Sequence, residues 1–310
     1  MKMSVSRKEP VVSGIPGITS RVAVAVMFAF VLTSCDSEFK KTVSALPPAR
    51  TQPGIERVEF KSAILGKPMA LYAYLPPGYS ADRDWPVLYL LHGFGNDEIE
   101  WFEYHKLHEV ADRLIAQGLI EPVVIIAPRM ENSWGLDSGK PAMAGPSPRR
   151  ALFYGPYESY FLKEVMYLSE TRYRASKEAS MRSIGGISMG GFSALHIGFR
   201  HPGDFARIGG HSPALKGSQI PEFFLYAKLT PRAETDPVEL ARKRDLSKVS
   251  VFIDCGTEDG LFAGAEELAG VLKGRNVDVT FHSGPGAHTA AYWHPNLERY
   301  LRFYAGKKTN

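Results

Sequence analysis

Gly186-Ile187-Ser188-Met189-Gly190 stands where an apolar run, Arg182 to Ile187, gives way to a helical stretch, Gly191 to Arg200. A strand that feeds a helix through a serine, with glycines two residues before and two after it, makes a turn too tight for larger side chains at those positions. Such a turn holds the serine in a strained backbone conformation and presents its hydroxyl above the end of a sheet. Strand and helix must pack directly on one another, so the chain is committed to an α/β architecture and Ser188 becomes a candidate nucleophile.

The rest of the chain agrees with that commitment. Arg57 to Leu65 and Met69 to Leu75 read as an antiparallel pair around Gly66-Lys67-Pro68. Apolar runs follow at Pro86 to Leu91, Pro122 to Ala127, Arg182 to Ile187, Ala206 to Gly210, Val249 to Asp254 and Val277 to His282, as expected of strands covered on both faces. Between them, Leu107, Val110, Ala111 and Leu114 keep helical spacing, as do Leu261, Ala265, Leu268, Ala269 and Leu272, and then Trp293, Leu297, Tyr300, Leu301 and Tyr304. With no internal repeat and no second composition regime, residues 56–310 read as one α/β domain: a mostly parallel sheet flanked by helices, with antiparallel strands at its N-terminal edge. Residues 130–156, rich in Gly, Pro, Ser and Arg, form a long irregular connection of the kind that often carries function.

A serine hydroxyl is a weak nucleophile until a base takes its proton and a carboxylate orients that base. Asp259, in the loop after the run ending at Asp254, and His288, after the last run, both fall at the C-terminal ends of strands, where open α/β sheets place their sites. Asp254 comes too early, still held by the sheet, and Glu258 is expected to point to solvent. Oxyanion donors are expected at the backbone N–H of Met189 and, in the loop His92-Gly93-Phe94-Gly95-Asn96, at that of Phe94. His105 and His108 stand three apart without a third ligand and read as helix residues, not a metal pair. His196, His201, His211 and His282 read as packing or surface residues, and His294 as a second choice for the base. Arg129, Trp134, Arg149, Arg150 and Tyr157 lie in or beside the long loop and read either as substrate contacts or as solvated arginines and core aromatics, so they stand outside the expected site.

Of 310 residues, 44% are hydrophobic and 23% charged, an ordinary soluble balance, with 37 basic against 33 acidic residues. Residues 1–34 hold Lys2, Arg7, Lys8 and Arg21 against Glu9, so most of the net charge of +4 sits in that segment. No basic run remains to neutralise phosphates, and nucleic acid is not expected as a partner. No metal, nucleotide or flavin motif is present in the sequence, and no cofactor is expected. The uncharged run Val22 to Leu32 is too short to cross a bilayer as a helix and fits a signal peptide over residues 1–34. Leu32-Thr33-Ser34-Cys35 resembles the lipobox of bacterial lipoproteins, which implies lipid on Cys35, an anchor in the bacterial cell membrane after export, and a flexible tether over residues 35–55.

Four stretches, residues 87–101 (VLYLLHGFGNDEIEW), 182–205 (RSIGGISMGGFSALHIGFRHPGDF), 255–259 (CGTED) and 284–293 (GPGAHTAAYW), together with Tyr157 and Glu158, resemble the esterase D-like family of α/β-hydrolases. That family includes feruloyl and acetylxylan esterases, S-formylglutathione hydrolases, enterochelin esterases and mycolyl transferases. The resemblance implies Ser188 as nucleophile, Asp259 as acid and His288 as base, with oxyanion donors near Phe94 and Met189. Members often carry an acidic residue and a Trp straight after the histidine; Thr289 and Ala290 stand here instead. The expected activity is hydrolysis of a carbohydrate, phenolic or short acyl ester through an acyl-enzyme. Acyl transfer to a sugar or lipid hydroxyl, a thioesterase of the S-formylglutathione hydrolase kind, and a non-catalytic binding module are the alternatives.

Overall fold

The computed structural model describes residues 37–139, 152–215 and 234–306. Eight strands, β1 (Gly54–Lys61), β2 (Pro68–Leu75), β3 (Val87–Leu91), β4 (Val124–Pro128), β5 (Arg182–Gly186), β6 (Arg207–His211), β7 (Ser250–Gly256) and β8 (Asp278–Gly284), form one sheet in the order β1-β2-β4-β3-β5-β6-β7-β8. β1 and β2 pair antiparallel, β2 meets β4 antiparallel, and every later pairing is parallel. This is the α/β-hydrolase arrangement, with its antiparallel strands at one edge.

Side chains alternate across the central strands because successive Cβ atoms point to opposite faces. Val87, Tyr89 and Leu91 of β3 and Val124 and Ile126 of β4 enter one core, and Leu88, Leu90, Ile125 and Ala127 the other. Helices α2 (Met166–Tyr173), α3 (Met189–Arg200), α4 (Pro237–Lys243) and α5 (Phe262–Gly274) close the first face, and α1 (Leu107–Ala116) and α6 (Ala290–Ala305) the second. The run at Val277 to His282 departs from the expected double coverage: β8 is the last strand of the sheet, and its residues are largely half-buried or exposed.

Two further expectations need correction. β1 ends at Lys61, not Leu65, because the buried Glu164 carboxylate captures the backbone there, accepting from the N–H groups of Ala63 (2.8 Å) and Ile64 (2.9 Å) and turning the chain. The supposed tether is docked from residue 37 onward. Residues 37–44 are helical, and Phe39 is buried against Phe60 and Tyr167, with ring centroids 5.8 and 6.2 Å away. Arg172 then holds the Pro47 carbonyl at 2.6 Å and Glu56 at 2.6 Å. Burying one such aromatic contributes about 1.5–3 kcal/mol towards the entropy of ordering the segment. The segment 1–34 and Cys35 lie outside the described residues, as do Arg149 and Arg150. No helix among the described residues is long and apolar enough to cross a membrane.

The far end of α3 is fastened by Glu158, a buried carboxylate that meets His201 Nε2 at 2.8 Å, Arg200 Nε at 3.2 Å and His196 Nε2 at 3.4 Å. Burial alone would raise its pKa, but these partners outweigh burial and hold it well below its ordinary value of 4.5. The stabilisation is therefore complete above about pH 4.5 and is lost as the pH falls from there towards the folded-state value. Glu158→Gln is expected to cost about 3 kcal/mol at neutral pH. Thermal melts between pH 7 and 3 are expected to show the wild type losing stability more steeply than the variant at the acid end.

Candidate active site

β5 delivers Ser188 into the first turn of α3 with φ 58° and ψ −115°, a backbone region that non-glycine residues rarely occupy. The strain is held by backbone bonds: the Ser188 N–H donates to the His211 carbonyl (2.9 Å), and its carbonyl accepts from Phe192 (3.0 Å) and Ala214 (3.0 Å). A Cβ on Gly190 would stand 2.2 Å from the Leu91 carbonyl oxygen, and one on Gly186 would stand 2.4 Å from the backbone of Gly190. Both glycines of the motif are thus required by close approach of backbone to backbone.

His288 Nε2 lies 2.9 Å from the Ser188 hydroxyl, and His288 Nδ1 lies 2.7 Å from Asp259 Oδ2. The structure therefore joins the three residues, from the loops after β5, β7 and β8, into one hydrogen-bonded line. Oδ1 of Asp259 accepts from the Leu261 N–H at 2.9 Å. Burial opposes ionisation of Asp259, yet the hydrogen bonds from His288 and from the Leu261 amide prevail and hold its pKa below the ordinary value. A carboxylate fixed on Nδ1–H leaves Nε2 free to accept the serine proton, the arrangement needed for nucleophilic attack on a carbonyl carbon.

The neighbouring candidates take other places. Asp254 is fully buried, bonded to His211 Nδ1 (2.7 Å) and to the Tyr300 hydroxyl (2.7 Å), while Glu258 is exposed. His294 Nε2 pairs with His105 Nδ1 at 3.0 Å, and no cluster among the described residues has three or more side chains placed for an ion. Arg129 grips the buried Glu98 with two bonds of 2.6 Å, and Tyr157 is buried with its hydroxyl on Glu131 and Lys67. Trp134 is buried between Phe94 and Phe192, with φ 61°. Cys255 is a buried free thiol.

Among the described residues neither the Phe94 N–H nor the Met189 N–H has a hydrogen-bond acceptor, so both are open to a ligand. The Phe94 loop is braced by residues that the sequence did not single out. Buried Glu100 accepts from the Gly93 N–H (2.6 Å) and the Asn96 amide (2.5 Å), and Asn132 Oδ1 accepts from the Gly95 N–H (2.7 Å). His92 accepts from the Met130 N–H on Nε2 (3.0 Å) and so donates from Nδ1 to the Gly93 carbonyl (2.9 Å). Trp293, which reads in the sequence only as part of a helical packing stripe, stands beside His288 and is bonded to Ser212, which the sequence does not mark; a position straight after a strand end is the one signal that could have found Ser212.

Fold and site define a class, the carboxylic ester hydrolases of α/β-hydrolase architecture, and comparison with known proteins agrees. The chain belongs to the Esterase family, described as Putative esterase, whose profile matches residues 62–304. It is 24% identical over 267 residues to an acetyl esterase of Caldicellulosiruptor saccharolyticus, covering 77% of this chain and 93% of that one. It is 30% identical over 162 residues to an endo-1,4-beta-xylanase/feruloyl esterase of Xylanibacter ruminicola, covering 50% of this chain and only 21% of that longer protein. Among solved structures, a ferulic acid esterase superposes with a TM-score of 0.68 at 27% identity, covering 82% of this chain and 98% of that one.

Proposed function

We propose that this protein is a serine carboxylesterase that works through an acyl-enzyme on Ser188. The observation that carries the reading is the unbroken Ser188–His288–Asp259 hydrogen-bond line. The Ser188 oxygen attacks the ester carbonyl while His288 Nε2 takes its proton, and the tetrahedral oxyanion is received by the N–H groups of Phe94 and Met189. As the C–O bond breaks, His288 returns the proton to the departing alcohol. Water, deprotonated by the same imidazole, then releases the acid and restores the serine hydroxyl.

The acyl chain belongs to a carbohydrate, phenolic or short acyl ester. A pocket of about 240 Å³ beside the Phe94 loop supports a sugar in the ester, since Tyr104 and Phe153 stand there beside the polar Asn96, Asp97, Arg129, Glu131 and Asn132. A panel of feruloyl, acetyl and short-chain aryl esters, each with and without a sugar alcohol, tests this. Preference for a sugar ester over its methyl counterpart is expected; equal kcat/KM throughout the panel would reject the sugar. Product analysis with added sugar acceptors distinguishes hydrolysis from acyl transfer.

Because Glu100 fixes the loop that offers the Phe94 N–H, Glu100→Ala is expected to lower kcat on an aryl ester by roughly 10- to 100-fold. Steady-state kinetics on the folded variant check this.

The same reading makes residues 1–34 a signal peptide and the chain from the docked segment at residue 37 onward the catalytic domain, exported and held to the bacterial membrane by lipid on Cys35. The h-region and the Leu32-Thr33-Ser34-Cys35 sequence support it. Firm anchoring requires more than one acyl chain. Intact-mass spectrometry is expected to find several acyl chains on an N-terminal Cys35, and Cys35→Ser to release the protein from membranes; an unmodified N-terminus at residue 35 would contradict this.

A further inference from the structure

We propose that Ser212 is a positioning residue for the His288–Asp259 pair, acting through the Trp293 indole that its hydroxyl holds against His288. The inference rests on the reading of Ser188, His288 and Asp259 as nucleophile, base and acid.

Ser212 directly follows the last residue of β6 and is wholly buried. Its φ is 44°, in the left-handed region that favours glycine and that strains a residue with a Cβ by about 1 kcal/mol or more. The surroundings enforce this conformation: the Ser212 N–H donates to the Asp254 carbonyl at 2.7 Å, while the carbonyl of the preceding His211 receives the Ser188 N–H at 2.9 Å. Ser212 is thus built into the same backbone junction as the nucleophile.

A serine hydroxyl has one hydrogen to donate and two lone pairs to accept with. One lone pair takes the Trp293 Nε1–H at 3.1 Å. The Trp293 ring so held stands perpendicular to the His288 imidazole, at 88° with centroids 5.0 Å apart, and limits rotation of the ring that must face both Ser188 and Asp259. Against burial, the bonds from His288 and the Leu261 N–H favour the ionised Asp259 carboxylate, and the nearby Ser212 hydroxyl acts in the same direction. Cys255 belongs to the same cluster, but burial pushes its thiol up to about 12, so it stays protonated and adds no charge. The hydroxyl therefore braces the base through Trp293, and a strained serine is kept where a glycine would fit the backbone with less strain.

Kinetics and thermal melts of Ser212→Gly and Ser212→Ala, with Ser188→Ala as reference, test the proposal on an activated aryl ester. Glycine removes both hydroxyl and strain; alanine removes the hydroxyl and keeps the strain. Both variants are expected to lose kcat by roughly 10- to 100-fold with KM unchanged, as is typical when a group that orients a reacting side chain is lost. Both variants leave the Trp293 N–H unpaired, but Ser212→Gly relieves the backbone strain and should melt above Ser212→Ala while losing as much kcat, so the loss of kcat does not follow stability. Wild-type kcat in Ser212→Gly would overturn the proposal, as would a kcat that tracks Tm across the two variants. If Ser188→Ala itself stays active, it is the nucleophile assignment that fails, an outcome separate from either of these.

Discussion

Ser188→Ala is expected to remove essentially all turnover of an aryl ester, a loss on the order of 10⁶-fold in kcat, while leaving the fold intact. Alanine keeps the Cβ and the same backbone preferences, so the bonds that hold φ at 58° are unaffected and only the attacking oxygen disappears. His288→Ala is expected to be comparably damaging, since without Nε2 at 2.9 Å nothing takes the hydroxyl proton. His282→Ala and His294→Ala are expected to remain active: His282 lies on β8, and His294 is occupied with His105. Initial rates on the four purified variants decide the matter, and a ranking with His294 or His282 above His288 would show that the wrong base has been chosen.

Asp259→Asn is expected to lower kcat by roughly 10³ to 10⁴-fold. An amide in that place can donate to Nδ1, which favours the tautomer with hydrogen on Nε2, and that nitrogen can then no longer accept from Ser188. The neighbouring acids separate orientation from packing. Glu258→Gln should be nearly silent, because its side chain is exposed. Asp254→Asn should act mainly on stability, because Asp254 joins His211 to Tyr300 in the interior. Because the pKa of Asp259 is depressed, its ionised form, and the stability that form contributes, persist at every pH above about 3.8 and are lost only as the pH falls below that value. Kinetics of the three variants at neutral pH, with melts alongside, check the assignment.

What the sequence disclosed is what short-range chemistry dictates. The glycines at 186 and 190 are fixed by contacts with Leu91 and with each other, so a five-residue pattern reports a tight turn reliably. Asp259 and His288 follow strand ends, and the apolar runs that mark β3, β4 and β5 are buried throughout. Elements whose signal is mixed escaped notice. The helical stretch from Tyr157 to Tyr173 passes through a π turn at Phe161–Val165, which shifts the apolar register and blurs a 3.6-residue stripe. The docking of residues 37–44 rests on Phe39 and the half-buried Val43, two apolar residues amid polar neighbours. Glu100, Asn132, Ser212 and Trp293 act through partners that are mostly distant in sequence, 37 residues separating Asn132 from Gly95 and 81 separating Trp293 from Ser212. No local pattern reports such pairs.

Capture of the acyl-enzyme tests the central claim most directly. Wild-type protein is mixed with excess activated aryl ester, quenched in acid within the burst and digested, and the acyl group is located by peptide mass spectrometry. The predicted result is one acyl group per chain, carried on Ser188, with a burst of the aryl alcohol of equal amplitude. Turnover with an acyl group on another side chain, or turnover that persists in folded Ser188→Ala, would contradict the account.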